Sequence, residues 1–392
     1  VESLESREVP AFLAPTTYPT GATAWDVQTA DINKDGNLDV LTANRAAGTI
    51  TVALGNGDGT LAAPRSIGVG ATPRALAVAD FNGDGKLDVV SANESNTLSL
   101  LKGNGDGTFQ ARSTISLSGG KGTKAVAIEV GDMNHDGKLD LVVGAVSNTY
   151  KQRGYTYQDG LIYVLTGNGD GTFRGASKLS IVGDPVRQYF MTDPGAAPVN
   201  LALGDVNSDG NLDVVAATYR NIASLEGRGG DRPVYLLPGD GNGGVTQGRA
   251  IDLVSGPAAL CLDDFNADGR LDLAVSHYDG WGAVVINLGR GDGTFQYVGY
   301  CNHGYETFTY GIAAIDVNHD GKLDLVAANR GGGWGITVCL GNGDGTFQDR
   351  QNFAYASAYS ALAVGDFDGD GYPDLVAIDV AGISMILNDQ IW

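Results

Sequence analysis

Asp80-Phe81-Asn82-Gly83-Asp84-Gly85-Lys86-Leu87-Asp88 is the stretch that decides the fold. Its carboxylate and amide side chains fall at positions 1, 3, 5 and 9 of a tight loop, with Gly at position 6. Side chains at alternate positions of such a loop converge on one point, and Gly supplies the backbone freedom for the sharp turn. The donors are all oxygen and mostly anionic, which suits a hard cation. Ca²⁺ accepts about six to eight oxygens in irregular geometry, whereas Mg²⁺ demands an octahedron and keeps its waters. The loop begins like an EF-hand loop but closes with Asp at position 9 in place of Glu at position 12. No helical pattern flanks it.

The same pattern occurs seven times. The candidate Ca²⁺ ligands are Asp31, Asn33, Asp35 and Asp39; Asp80, Asn82, Asp84 and Asp88; Asp132, Asn134, Asp136 and Asp140; and Asp205, Asn207, Asp209 and Asp213. They continue with Asp264, Asn266, Asp268 and Asp272; Asp316, Asn318, Asp320 and Asp324; and Asp366, Asp368, Asp370 and Asp374. An Asp/Asn/Gly-rich turn needs no metal when it occurs once. Seven copies sharing three Asp and one Gly argue for up to seven bound Ca²⁺.

The charge agrees. The formal net charge is −21, from 46 Asp plus Glu against 25 Lys plus Arg. Twenty-two of the carboxylates lie in the seven loops, so the rest of the chain is close to neutral. The acidity is loop chemistry, not a polyanionic surface seeking a basic partner. No basic stripe exists to neutralise phosphates, so nucleic acid is not an expected partner. No apolar run reaches the ~18–20 residues of a membrane helix. The sequence begins at Val1, not Met, which reads as a processed product whose signal peptide is gone. Cys261 and Cys339 lie in strand-like runs and read as buried apolar residues; Cys301 is left open. Loading several loops of this kind works where Ca²⁺ is millimolar, outside the cell.

The loops start 49, 52, 73, 59, 52 and 50 residues apart. A period near 50 implies one supersecondary unit per repeat. A short alternating run precedes each loop, as in Ala75-Leu76-Ala77-Val78-Ala79 or Ala361-Leu362-Ala363-Val364. A second run begins on the last Asp of the loop, as in Asp88-Val89-Val90-Ser91-Ala92. A third, Thr97-Leu98-Ser99-Leu100-Leu101, ends in Gly103-Asn104-Gly105-Asp106-Gly107, and a fourth follows from Thr108-Phe109. The Gly-Asn-Gly-Asp-Gly-Thr-Phe turn recurs at Gly55 (with Leu61 for Phe), Gly103, Gly167 and Gly341, with variants at Gly239 and Gly289. It reads as a hairpin turn between strands three and four, with its aromatic packed between units. Four short antiparallel strands, repeated seven times, predict an all-β, seven-bladed β-propeller. The whole of residues 1–392 is one domain, with 1–10 as an N-terminal extension. The seventh repeat lacks its fourth strand. Phe12-Leu13-Ala14-Pro15-Thr16-Thr17 is similar to Phe109-Gln110-Ala111-Arg112-Ser113-Thr114, so residues 11–18 are expected to close the last blade.

The loop at Asp80 together with the turn at Gly103 resembles FG-GAP/VCBS-type repeats, over roughly residues 11–388. That resemblance implies the calcium-binding propeller of integrin α subunits and many secreted microbial proteins. It implies the loop Asp and Asn residues as Ca²⁺ ligands. Across the family it implies adhesion, lectin-like or carbohydrate-enzyme accessory roles, and it assigns no substrate.

In an up-and-down blade the Asp-rich loops (1→2) and the Gly-Asp-Gly turns (3→4) share one face. The irregular segments 146–160, 218–233, 277–282 and 331–334 (2→3 loops) and 183–199 and 298–310 (4→1 crossovers) share the other. They are rich in Tyr, Trp and Arg, which dominate binding hot spots. Tyr155, Tyr157, Arg187, Tyr189, Tyr278, Trp281, Arg330 and Trp334 are the candidate ligand-binding residues. Aromatic faces stack on sugar rings, and Arg pairs with carboxylates bidentately. The decorated loops differ from blade to blade, which predicts one asymmetric site for a glycan or other extracellular ligand. Packing of long loops on themselves is the competing explanation. A polysaccharide lyase or glycoside hydrolase on the same face is the alternative, with His277, His303, Tyr305 and Arg220 as candidate catalytic groups. His135 and His319 occupy variable loop positions and are expected to be solvent-facing and inert. No zinc-spaced His pair and no Gly-x-Ser-x-Gly elbow occurs.

Overall fold

The computed structural model describes residues 11–20, 23–118, 122–146, 150–152, 155–157, 160–181, 200–218, 234–251, 257–277, 282–302, 304, 307–331, 335–353, 359–390 and 392. The chain opens with β1 (Thr16–Tyr18). Blade I is β2 (Ala24–Ala30), β3 (Asp39–Asn44), β4 (Thr49–Ala53) and β5 (Arg65–Gly68). Blade II is β6 (Pro73–Ala79), β7 (Asp88–Asn93), β8 (Thr97–Leu101) and β9 (Ser113–Ser116). Blade III is β10 (Lys124–Gly131) and β11 (Asp140–Val146), then a small hairpin β12 (Tyr150–Gln152) and β13 (Tyr155–Tyr157), then β14 (Gly160–Leu165) and β15 (Ser177–Ile181). Blade IV is β16 (Asn200–Gly204), β17 (Asp213–Ala217), β18 (Val234–Leu237) and β19 (Arg249–Ile251). Blade V is β20 (Pro257–Asp263), β21 (Asp272–His277), β22 (Ala283–Gly289) and β23 (Phe295–Asn302). Blade VI is β24 (Phe308–Ile315), β25 (Asp324–Arg330), β26 (Ile336–Cys339) and β27 (Gln351–Phe353). Blade VII is β28 (Ala361–Gly365), β29 (Asp374–Ile378) and β30 (Ile383–Ile386).

Each blade is a four-stranded antiparallel sheet, and the seven form a ring: a seven-bladed β-propeller. The first strand of each repeat is innermost. The last blade is completed from the other end of the chain: Thr16, Thr17 and Tyr18 pair with Met385, Ser384 and Ile383. Phe12 bridges Asn388 and is fully buried, edge-on to Phe353 and Trp392. The expected closing segment 11–18 thus closes the ring with three strand residues and one buried aromatic.

The core lies between blades. Seven clusters of buried apolar side chains fill the seven blade-to-blade interfaces; Val90, Leu98 and Leu100 of blade II, for example, meet Leu141, Val143 and Leu161 of blade III. The second strand of each blade is among the most buried, as in Asp39–Asn44 and Asp88–Asn93, where every residue is buried. It is covered on both faces, which is why it reads as a continuous apolar run.

In five blades the Gly-rich turn bonds to the blade before it, among them blade I, where Gly59 reaches the Phe367 carbonyl across the ring closure at 3.0 Å. Gly171, Gly243, Gly293 and Gly345 donate amides to the carbonyls of Met133, Val206, Phe265 and Phe81 in the pairs Gly171–Phe81, Gly243–Met133, Gly293–Val206 and Gly345–Phe265, at 3.0–3.2 Å. The turn aromatic packs where expected, with Phe173 against Phe81 and Phe347 against Phe265 at 5.9 and 5.8 Å. The first Gly of the turn is obligatory: a Cβ on Gly55 or Gly103 would collide with the carbonyl oxygen of Leu38 or Leu87.

Cys301 and Cys339 form a disulfide, Cα–Cα 6.3 Å, tying the outer strand β23 of blade V to β26 of blade VI. The reading of Cys339 as an unpaired apolar residue is thereby corrected: it is buried, but bonded. Cys261 is free, with its thiol pushed up to about 12 by burial.

Candidate functional site

The seven Asp-rich loops share one geometry. Position 1 accepts the amide of the position-6 Gly in every copy, from Asp31–Gly36 at 3.0 Å to Asp366–Gly371 at 3.0 Å. Position 6 has φ between 76° and 91°, and position 4 is also left-handed, even where it is Lys34, His135, Ser208, Ala267 or His319. Non-Gly residues hold that conformation only when their surroundings enforce it. In blade VII the carboxylate oxygens of Asp366, Asp368 and Asp374 lie within 4.8 Å of one another. An all-oxygen, multiply anionic donor set at that spacing fits a hard divalent cation.

Position 9 has a second task. Asp39, Asp88, Asp140, Asp213, Asp272, Asp324 and Asp374 are all fully buried. One oxygen accepts the amide of the first Gly of the Gly-rich turn in blades I–VI, and of Asn388 in blade VII, at 2.7–2.9 Å. In blade V the other oxygen of Asp272 accepts the Phe265 amide at 2.9 Å. These carboxylates therefore pin loop to turn. Burial pushes Asp272, Asp324 and Asp374 up to about 6.

His135 and His319 are exposed, yet each reaches the loop of the next blade. His135 Nε2 lies 2.9 Å from Asn211 Oδ1, and His319 stacks on Tyr372 at 4.1 Å between centroids. They are inter-blade contacts, which corrects the reading of them as inert.

On the opposite face, Arg187, Tyr189, Tyr278, Trp281, Trp334, His303, Tyr305 and Arg220 lie outside the described residues. Tyr155 and Tyr157 fall in β13, whose backbone pairs with β12 as a hairpin extending blade III. Arg330 is exposed at the end of β25, and His277 ends β21 opposite Pro257. Much of the 298–310 crossover belongs to strands, since β23 runs to Asn302 and β24 starts at Phe308.

A site that sequence reasoning missed lies on the propeller axis. The inner strands enclose a cavity of about 210 Å³, lined from all seven blades. Register aligns these strands residue by residue. Four residues beyond the buried loop Asp, the inner strand carries Ala75, Ala127, Ala259, Gly311 or Ala361; two beyond, it carries Ala77, Ala202, Ala313 or Ala363. The departures are Asp26 and Asn200 at the first level, and Gln28, Glu129 and Cys261 at the second. Small residues keep the channel open, and Asp26, Gln28, Glu129 and Asn200 line it.

Asp26 accepts the amides of Val27 at 2.8 Å and of Leu76 in the next blade at 2.7 Å. Asn200 does the same for Leu260 at 3.0 Å. Burial pushes the Asp26 carboxyl up to about 6 against the pull of those hydrogen bonds. Burial, and then the charge of Asp26, push Glu129 up to about 8. The two carboxyls thus sense each other in one cavity.

The mouth opposite the Asp-rich loops is built from blades I and II. The inner strands bulge there: Trp25 and Arg74 are the extra residues in β2 and β6. Glu94 takes a bidentate pair from Arg45 at 2.7 and 2.9 Å, and Arg74 at 3.2 Å. Both guanidinium groups lie about 5 Å from the Trp25 ring, at 5.1 and 5.3 Å, within cation–π range. Burial raises Glu94, but the hydrogen bond from Arg45 and the surrounding cations outweigh it and hold the carboxyl below its ordinary value. Arg74 Nε is buried with no acceptor among the described residues.

Comparison with known proteins follows this geometry. The model described as FG-GAP-like repeat matches residues 31–91, 80–143, 205–275, 264–327 and 316–377, and the FG-GAP repeat matches 125–165. The chain is 24% identical over 272 residues to the phosphatidylinositol-glycan-specific phospholipase D of Dictyostelium discoideum, covering 66% of this chain and 26% of that protein. The chain therefore spans about a quarter of the relative's length. Among solved structures it is similar to BBS1N in crystals of its complex with ARL6DN, soaked with lead (TM-score 0.59, 15% identity) or mercury (TM-score 0.60, 14% identity), with 96% of both chains covered in each case. That likeness concerns the fold. With family matches over most of its length and a Gly-turned Asp loop in every blade, the chain belongs to the FG-GAP repeat family.

Proposed function

We propose that this chain is a calcium-loaded, extracellular binding propeller that recognises one glycan at the axial mouth opposite the Asp-rich loops. The observation that carries this reading is the asymmetry of that mouth. Trp25, Arg45, Arg74 and Glu94 come from two adjacent blades, beside a cavity that the other blades line mainly with small residues. An aromatic face, a fixed guanidinium with a spare donor, and carboxyl and amide groups are what a hydroxyl-rich ring requires. The seven loops would carry Ca²⁺ on the other face, as scaffold. The Cys301–Cys339 disulfide supports an oxidising location.

The Dictyostelium relative favours a second reading. The name of that relative specifies phosphatidylinositol-glycan, so the propeller here would be the recognition part of a larger hydrolase, with catalysis elsewhere. Of the four groups that would serve a lyase or glycosidase, His277 alone is described, and it does not line the cavity. An array of neutral, acidic and lipid-linked glycans, probed with the wild type and with Trp25→Ala and Arg74→Ala, tests the proposal. Binding lost in both variants at unchanged melting temperature supports it; full binding in both refutes it.

A further inference from the structure

The axial cavity has a polarity that the mouth alone does not explain. Asp26 and Gln28 enter it from blade I and Glu129 from blade III. Blade II, between them, presents Ala75 and Ala77 at the matching levels. The missing side chains of blade II leave a gap flanked by two carboxyls. Asp26 is held rigidly, because each of its oxygens accepts a backbone amide and Gln28 adds a side-chain hydrogen bond. Glu129 is different. It lines the same cavity, and no described residue donates a hydrogen bond to it. At the rim, Arg74 Nε–H is buried and likewise lacks an acceptor among the described residues. The cavity therefore offers open acceptors at depth and an open donor at its mouth.

We infer that the cavity takes a primary ammonium group between Asp26 and Glu129, carried by an amino sugar whose hydroxyl oxygens meet Arg74. The sugar part rests on the glycan reading above; the ammonium part rests on the carboxyl pair. An ammonium has three donors and no acceptor, so it can bond Glu129, a second lone pair of Asp26 and the Gln28 carbonyl oxygen together. A neutral hydroxyl would give the Glu129 carboxyl no counter-charge, so it would stay protonated in the cavity, whereas an ammonium lets it ionise against a cation. A bare metal ion fits less well. Ca²⁺ seeks about six to eight oxygens, the three side chains supply fewer, and the space of about 210 Å³ greatly exceeds one ion.

Calorimetric titration of the calcium-loaded full chain with glucosamine, N-acetylglucosamine and glucose tests the inference. Glucosamine is expected to bind one to one and at least tenfold more tightly than either other sugar. Glu129→Gln is expected to remove at least tenfold of that preference. Glu129→Ala is the second variant, because Ala77, Ala202, Ala313 and Ala363 show that the fold accepts Ala at this position. Equal affinity for the three sugars would overturn the ammonium assignment while leaving a glycan site in place. Undiminished glucosamine preference in both variants, or no heat with glucosamine, would overturn it outright. Array binding lost through Trp25 and Arg74 is judged separately, so the two proposals can fail apart.

Discussion

Asp26 in blade I accepts the backbone amide of Leu76 in blade II at 2.7 Å. It is a blade-to-blade bond on the channel wall, and its counterpart between Asn200 and Leu260 shows that an amide oxygen serves equally. Asp26→Asn should therefore keep the bond and cost under ~1 kcal/mol. Asp26→Ala should strand the Leu76 amide and cost ~1–3 kcal/mol. Urea unfolding of the two variants separates these outcomes; equal losses would mean that the Leu76 bond contributes nothing.

Glu129 gives the fold a pH dependence. Its ordinary value of 4.5 rises to about 8 on folding, through burial and then Asp26. A raised carboxyl favours the folded state fully below 4.5, and that contribution is lost as the pH climbs through about 8. The slope is at most ~1.4 kcal/mol per pH unit. Asp26 on β2 acts in the same direction, up to about 6; Arg74 on β6 is cationic, and the Cys261 thiol on β20 stays neutral. Thermal melts from pH 5 to 9 should show stability falling for the wild type and a flatter profile for Glu129→Gln. Parallel profiles would count against this account of the channel.

Within the Asp loops, positions 5 and 9 should separate. Asp272 is fully buried and holds the Phe265 and Gly289 amides. Asp272→Ala should cost more than ~3 kcal/mol with or without metal, since two buried amides lose their acceptor. Asp268 is more exposed, so Asp268→Ala should mainly reduce the stabilisation that Ca²⁺ adds. Melting curves with Ca²⁺ and with EGTA distinguish them. For the wild type, EGTA should lower the melting temperature, because a cation bound only to the folded state stabilises it by mass action. An unchanged wild-type curve would remove calcium from the proposal.

Reduction of Cys301–Cys339 should also be measurable. The bond spans 38 residues of sequence and links blades V and VI. Loop-closure entropy gives ~4 kcal/mol for a crosslink of that span. Dithiothreitol should shift the urea midpoint downward, and Cys301→Ser should reproduce the shift without reductant.

Much of this was legible in the sequence because metal-type loops and Gly turns must sit at fixed positions. Asp80–Asp88 and Gly103–Phe109 thus announce the blade, and Phe12 announces its closure. The channel was not legible in the same way. The inner strand is legible from Ala75–Ala79 and Ala361–Val364, in two of the three blades that carry only small residues at both channel levels. Asp26, Gln28 and Glu129 break that pattern in blades I and III. Their meaning appears only when the seven runs are aligned on the buried loop Asp and closed into a ring. The disulfide was hidden for a related reason: Cys301 and Cys339 meet only because neighbouring blades pack side by side. The loops at Tyr278–Trp281 and His303–Glu306 show no repeat at all, so spacing could assign them a face but no partners.

The central claim is that ligand recognition sits at the axial mouth, away from the Asp-rich loops. Its most direct test is glycan binding by calcium-loaded Arg74→Ala, measured beside Asp268→Ala at saturating Ca²⁺. The account predicts binding lost in the first and retained in the second, with both proteins folded. Binding retained in Arg74→Ala and lost in Asp268→Ala would place recognition on the loop face and contradict it.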